Sequence, residues 1–317
     1  MGFLRTLYRF DYMRHRAWWF ALSGTIIAVG LISLFIKGGG NPLNGLTYGL
    51  EFKEGTRIAV VFESQPTLGE VRDVLSAEGY GDAQMQEAAN VAGAGQAGFQ
   101  IQTITLENQA QAELKGALDK AFGVAPEGWQ LSLVGPTFGR QVISSTYKAV
   151  GLAVLLILAY VSIRFQWRYA VGSIAAVVHD LLVVIGIYSL TGREITTATI
   201  AAVLTFLGYS LYDTVIIFDR IRENEPKLAR LPYADIVNRS IWETLTRSLN
   251  TSFITLIPVL CLLFFGGDTL KDFAFALTVG IISGAYSTIF ISCPVLTILK
   301  QREPKYRKIS ARAADEG

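Results

Sequence analysis

Cysteine is nearly absent from this 317-residue chain: there are two, Cys261 and Cys293, and both fall inside long apolar runs. They cannot supply a disulfide framework or a cysteine-based metal site. Charge is also scarce, at 17% of residues, where soluble domains carry about 25%. The catalytic vocabulary is thin. Ser283-Gly284-Ala285-Tyr286-Ser287 is not a Gly-x-Ser-x-Gly elbow, and there is no His-Glu-x-x-His zinc motif, which argues against an intramembrane protease. The Gly-rich segment 91–98 lacks the Lys-Ser/Thr pair and the following helix of a phosphate loop. Residues 37–147 contain neither histidine nor cysteine. These absences lead us to expect no enzyme, no cofactor and no metal.

Hydrophobic residues, by contrast, make up 51% of the chain, and they are gathered into six runs. We read them as spans at 17–36, 147–165, 170–190, 195–218, 249–265 and 273–299, each near the roughly 20 residues a bilayer core requires. The first is too long for a signal-peptide core and no A-x-A-like site follows it, so it reads as an uncleaved anchor. Tyr8, Phe10, Tyr12, Trp18 and Trp19 around its start suit a membrane interface. Net charge is only +2, but its placement is uneven. Arg5, Arg9, Arg14 and Arg16 precede the first span, Arg164 and Arg168 separate the second from the third, and six basic residues from Arg220 to Arg247 separate the fourth from the fifth. The basic tail after Lys300 completes the pattern. The short alternate loops hold Arg193 and Lys271. The positive-inside rule then puts both termini in the cytoplasm. The basic tail reads as topological or lipid-facing, with no nucleic-acid partner.

Between the first two spans the pattern changes. Thr56–Glu63 reads as a strand, Thr67–Glu78 as a helix with Thr67 and Glu70 at capping-box positions, Asp82–Glu87 as a weak strand and Phe99–Leu106 as an alternating strand. A helix at Glu107–Phe122 and a strand at Trp129–Val134 follow. This strand–helix–strand–strand–helix–strand order is the ferredoxin-like α+β pattern. We therefore expect a polytopic α-helical membrane protein with six transmembrane helices and one extracytoplasmic βαββαβ domain between helices 1 and 2. Its divisions are 1–36, 37–146, 147–300 for a five-helix bundle, and 301–317 for a basic cytoplasmic tail.

Three ionisable features lie where hydrocarbon penalises them. Asp213 sits inside the fourth run, where a carboxylate costs roughly 2.5–3.5 kcal/mol to insert. Helical spacing sets Thr205, Tyr209, Asp213 and Ile216 on one face, which should look into the bundle. Arg247 stands at the lip of the fifth run, and Asn250, Thr251 and Thr255 carry a polar stripe inward from it. A contact between Asp213 and Arg247 would reduce the burial cost of both. Alone, Arg247 also reads as a snorkelling residue and the stripe as interhelical hydrogen bonding. His179-Asp180, in the third run, reads either as a functional pair or as a packing pair; we carry it as a candidate accessory polar layer together with Asn250, Thr251 and Thr255. Asp219, Arg220, Arg222 and Glu223 form a charged motif at the water boundary. Gly280-Ile281-Ile282-Ser283-Gly284 is a small-residue face for close helix packing.

GYSLYDTVIIFDRIREN at 208–224, AAVVHDLLVVIG at 175–186, TLTRSLNTSFITL at 244–256 and VGPTFG at 134–139 together resemble the SecD/SecF family of bacterial Sec protein export, within the resistance–nodulation–division (RND) superfamily. Two departures stand out: Glu51 and Glu54 replace the Asp and Gly of the family's Gly-hydrophobic-Asp-Phe-x-Gly-Gly segment, and Tyr212 stands where Asn is common. The resemblance implies half of a transporter in the bacterial inner membrane. Its partner would be a SecD subunit, working with the SecYEG channel, the SecA motor and unfolded preprotein and driven by the proton gradient. It further implies that Asp213 carries protons, that Arg247 is its basic partner and that SecD adds another Asp. An RND-type exporter subunit for lipid or small hydrophobic molecules, a scaffold subunit, and sodium coupling are the competing readings.

Overall fold

A computed structural model describes residues 10–52, 55–91, 96–307 and 309. Contacts divide the chain into two units, residues 48–148 and the remainder. Tyr8, Arg5 and Arg9, the centre of the Gly-rich 91–98 segment, Glu54 and the end of the basic tail lie outside the described residues.

In the smaller unit, strands β1 (Gly55–Phe62), β2 (Gln84–Val91), β3 (Gln96–Thr103) and β4 (Val124–Val134) and helices α2 (Leu68–Ala77) and α3 (Asn108–Phe122) alternate as βαββαβ. The sheet order is β2-β3-β1-β4 and the pairs are antiparallel. Alternation sorts the faces. Ile58, Val60, Phe99 and Ile101 point to the side where Val71, Leu75, Leu114 and Leu118 of the helices are buried. Strand β4 starts five residues before the sequence pattern suggests. A register shift between Val60 and Phe62 lets Val124 pair with Phe62, across a stretch whose Pro126 and Gly128 hide the strand signal. At the start of α2 the capping box forms: Thr67 accepts from the Glu70 amide, and the Glu70 carboxylate accepts from the Thr67 amide at 2.7 Å and its hydroxyl at 2.9 Å. Those donated protons hold the Glu70 carboxyl below its ordinary range.

The larger unit contains α1 (Arg16–Lys37), α5 (Trp167–Thr191), α6 (Thr197–Lys227), α7 (Tyr233–Phe265), and α8 (Asp268–Ser287) followed by a π-turn (Thr288–Ser292) and α9 (Cys293–Gln301). Helix α4 (Pro136–Arg164) leads into it. Among the described residues six segments, α1, α4, α5, α6, α7 and Leu270–Gln301, are long and apolar enough to cross a membrane. The helices outrun the apolar runs. Helix α4 starts eleven residues before 147, and α6 and α7 continue through 224–243, leaving only 228–232 as a turn. An apolar run marks only the part of a helix in hydrocarbon; the backbone bonds continue into water.

Packing follows small residues. At Gly30 of α1 a Cβ would stand 2.5 Å from the Gly186 Cα of α5, and Ser33 bonds Ser189 at 2.9 Å along the same seam. The Gly280/Gly284 face of α8 lies against α6, where a Cβ on Gly284 would come within 2.8 Å of Ser210 Cβ. The most apolar stretch of α4 buries none of its residues within the chain, against 56% for α5, so α4 is suited to lipid or a partner.

Two expectations follow. Gly186→Val forces two backbones apart and should cost about 1–3 kcal/mol, read as a lowered thermal midpoint in detergent. Because the Glu70 carboxyl is lowered in the folded state, its stabilisation is present above the unfolded carboxylate range and lost as pH falls through the folded value. Amide protection at the first turn of α2, taken relative to the intrinsic exchange rate at each pH, should therefore fall in acid, and Glu70→Gln should remove that acid dependence.

Candidate functional site

Among the described residues two carboxylates are buried in the membrane-spanning bundle, and their surroundings differ. Asp180, on α5, is 0% exposed. It accepts from Ser283 Oγ (2.6 Å) on Oδ1, and from Ser210 Oγ (2.8 Å) and Ser287 Oγ (2.9 Å) on Oδ2; His179 Nδ1 lies 3.1 Å from Oδ1. A carboxylate has about four lone-pair sites, so this one is saturated. Its partners come from α5, α6 and α8, and it ties the three helices together. The His179 ring stacks on Tyr286 at 5.7 Å, while its buried Nε2 has no hydrogen-bond partner among the described residues. Tyr286 in turn accepts from Ser23 and donates to the Trp19 carbonyl, both on α1.

Asp213, on α6, is 3% exposed and among the described residues accepts from a single side chain, Ser248 Oγ of α7. The expected contact with Arg247 does not form. No ion pair joins the two among the described residues; Arg247 is exposed and donates to Tyr212 Oη at 3.4 Å. Ser248, not Arg247, is the residue that α7 turns inward. One residue past Asp213, Thr214 meets Thr288 at 2.9 Å, hydroxyl to hydroxyl. Thr288 opens the π-turn, in which the Cys293 amide reaches back to the Thr288 carbonyl. Pro294 follows and has no amide to donate, which interrupts the ordinary helical ladder here. Such π-turns are frequent at functional sites.

The remaining candidates separate. The buried face of α6 runs through Phe206, Ser210, Asp213, Ile217 and Ile221. It is rotated from the expected one: Thr205 is exposed and bonds its own helix at Ala201 O, 2.7 Å. Tyr209 donates to Ser252 at 3.1 Å. The stripe on α7 is not a bundle lining. Asn250 is exposed, and Thr251 and Thr255 bond the carbonyls of Arg247 and Thr251 in their own helix. The boundary motif forms an ion network: Asp219 pairs with Arg164 (3.1 Å), Arg220 with Glu243 (2.6 Å) and Glu223 (2.8 Å), and Arg222 donates to the Arg164 carbonyl (3.4 Å). Of the two departures in the described residues, Tyr212 is 53% exposed and bound by Arg247, and Glu51 has a buried Oε2 with no hydrogen-bond partner among the described residues. Ser210, Ser248, Ser283 and Ser287 escaped the sequence reading. Their signal was spacing: Ser283 and Ser287 are four apart, and Ser210 lies three before Asp213, so each set shares a helical face. Among the described residues no group of three or more His, Cys, Asp and Glu could hold a metal.

The chain resembles known proteins throughout. Residues 115–302 match the family described as protein export membrane protein SecD/SecF, C-terminal. Over 311 residues it is 34% identical to protein translocase subunit SecF of Streptomyces coelicolor, covering 96% of this chain and 80% of that one. It is 35% identical to the Petrotoga mobilis subunit of the same name, over 94% and 98% of the two chains. The crystal structure of SecDF, a translocon-associated membrane protein from Thermus thermophilus, superposes with a TM-score of 0.81 at 35% identity, covering 93% of this chain and 39% of that one.

The contrast between the carboxylates gives an expectation. Asp180→Ala leaves three hydroxyls and an imidazole without their acceptor and should cost about 3–5 kcal/mol. Asp213→Ala orphans one hydroxyl and should cost about 1–3 kcal/mol. Thermal unfolding in detergent measures both, and equal losses would refute the division.

Proposed function

This chain belongs to the SecD/SecF family of protein-export membrane proteins and serves in protein translocation; from that premise we propose that it works with a SecD-type subunit to draw on the proton gradient, with Asp213 as the proton-carrying group. The observation that carries this reading is the burial of Asp213 with one hydroxyl partner among the described residues. Its unclaimed lone pairs leave room for a proton, whereas protonating Asp180 would displace one of four donors. A carboxylate that gains and loses a proton changes its attraction to Ser248 and to nearby Arg247, and a switched charge can bias two packings of a bundle. One proton crossing 100 mV releases about 2.3 kcal/mol, enough to shift a balanced two-state equilibrium more than tenfold.

Beside Asp213, the polar surface supports a partner. Tyr212, Arg247 and Asn250 are exposed on the chain's own surface within two spanning helices. Polar groups in such segments face protein or water rather than lipid. A SecD-type subunit fits that position, supported by the Thermus relative, whose name joins SecD and SecF and of which this chain spans 39%. In our reading, Arg247 faces that subunit and completes the site with a group the subunit supplies. His179 and Asp180 hold the helices in register. The basic residues at the α4–α5 and α6–α7 turns support an inner-membrane arrangement with both termini cytoplasmic and the α+β unit outside. There the unit would meet unfolded preprotein emerging from SecYEG after SecA.

Vesicles holding the Sec channel, the SecA motor, a SecD subunit and this chain test the proposal. Asp213→Asn should abolish the gradient-dependent share of export while the protein reaches normal levels in the membrane. Export unchanged by Asp213→Asn would sink the reading, and export sustained by a sodium gradient alone would replace protons with sodium.

A further inference from the structure

Two cavities open where α4 ends, α5 begins and α9 runs out. The larger, about 620 Å³, is lined by Trp167, Arg168, Lys300 and Lys305 with Glu225 and Glu303. The smaller, about 220 Å³, adds Arg164 and Arg222, and the two share Gln166 and Glu225. Five cations thus line the pair against two carboxylates, a surplus of three. Asp219 takes up Arg164 from outside, which leaves two.

The carboxylates are already committed. Glu225 pairs with Lys300 at 3.1 Å and accepts from Tyr169 at 2.9 Å; Glu303 pairs with Arg168 at 2.9 Å. Lys300, only 3% exposed, also donates to Gln166 and lies over the rings of Tyr169 and Tyr233. It serves as a fixed strut beneath the cavities. The surplus therefore resides on Arg222 and Lys305, both exposed and with no ion pair among the described residues. Arg222 reaches a backbone carbonyl at a long 3.4 Å, and Lys305 lies over the Tyr306 ring.

The depth is that of a bilayer surface, because three spanning segments, ending at Arg164 and Gln301 and beginning at Trp167, meet here. Trp167 is 58% exposed, with Arg168 over its ring, and Ile163 near the end of α4 is 87% exposed. An amphipathic ring at the rim and an exposed aliphatic side chain near the end of α4 suit a lipid, with the headgroup at the cations. The start of α5 adds its positive helix end. Basic pockets between spanning helices bind acidic headgroups.

We propose that these cavities form a binding site for a phosphate-bearing anion, supplied by the headgroup of an anionic phospholipid, with Arg222 and Lys305 as the residues that hold it. The site is remote from the translocation chemistry assigned to Asp213 and does not depend on that assignment.

The test is lipid retention. Full-length protein is extracted from phosphatidylcholine vesicles containing a minority of phosphatidylglycerol, and its bound lipid is counted by native mass spectrometry. The wild type should retain phosphatidylglycerol in preference to phosphatidylcholine. Arg222→Gln with Lys305→Gln should lower that preference about twenty-five-fold, at roughly fivefold per charge. Neither change orphans a carboxylate, and Arg222→Lys with Lys305→Arg should restore retention. The control pair Arg302→Gln with Arg307→Gln removes two exposed charges that line neither cavity and should leave retention near wild type. An equal loss in the control pair would mean diffuse surface attraction and overturn the site. Displacement of the retained lipid by millimolar inorganic phosphate would overturn the lipid as the source.

Discussion

A carboxylate cannot rest among apolar helices unless its lone pairs are claimed, and the arrangement of this bundle follows from how Asp180 meets that requirement. Three serines and a histidine surround it, drawn from α5, α6 and α8. Removing any one helix strands a charge, so their relative register is fixed electrostatically as well as by packing. The small residues serve the same end: without Gly284, α8 could not approach Ser210 closely enough for Ser283 and Ser287 to share its acceptor. Because Ser210 and Asp213 are three residues apart on α6, locking the first also positions the second.

The bundle therefore carries two kinds of polar layer. One is saturated and holds helices together. The other, Asp213 with Ser248, has one donor among the described residues and sits beside an interrupted helical ladder at Thr288–Ser292. Rigid and adaptable parts lie within one turn of each other on α6. At the membrane boundary the charges neutralise one another in chains, Arg164 to Asp219 and Arg220 to Glu223 and Glu243. Exposed pairs of this kind contribute little energy individually, but they join the end of α4 to α6, and α6 to α7.

Much of this was legible in the sequence. Apolar runs gave the spans because hydrocarbon permits little else, and period-two alternation gave β1 and β3 because one face of the sheet is covered. Helix ends were not legible at 136 and 233, since polar helical residues leave no hydropathy mark. Asp213 and Asp180 were conspicuous because each is costly. Their partners were not. Serine is common in spanning helices and ordinarily bonds its own backbone, as Thr251 and Thr255 do here. Charge complementarity favoured Arg247 over Ser248 on paper, but a one-residue difference is a rotation of about 100° on a helix, and α7 turns the serine inward.

The contact of Gly30 with Gly186 has a consequence for inheritance. Glycine is encoded by GGN, and every single-base change in such a codon that alters the amino acid introduces a Cβ or a stop. With two backbones this close, no missense step of one base preserves the seam. A change there can persist only alongside a compensating shift elsewhere in α1 or α5, so this junction is a point from which the gene has few short routes away.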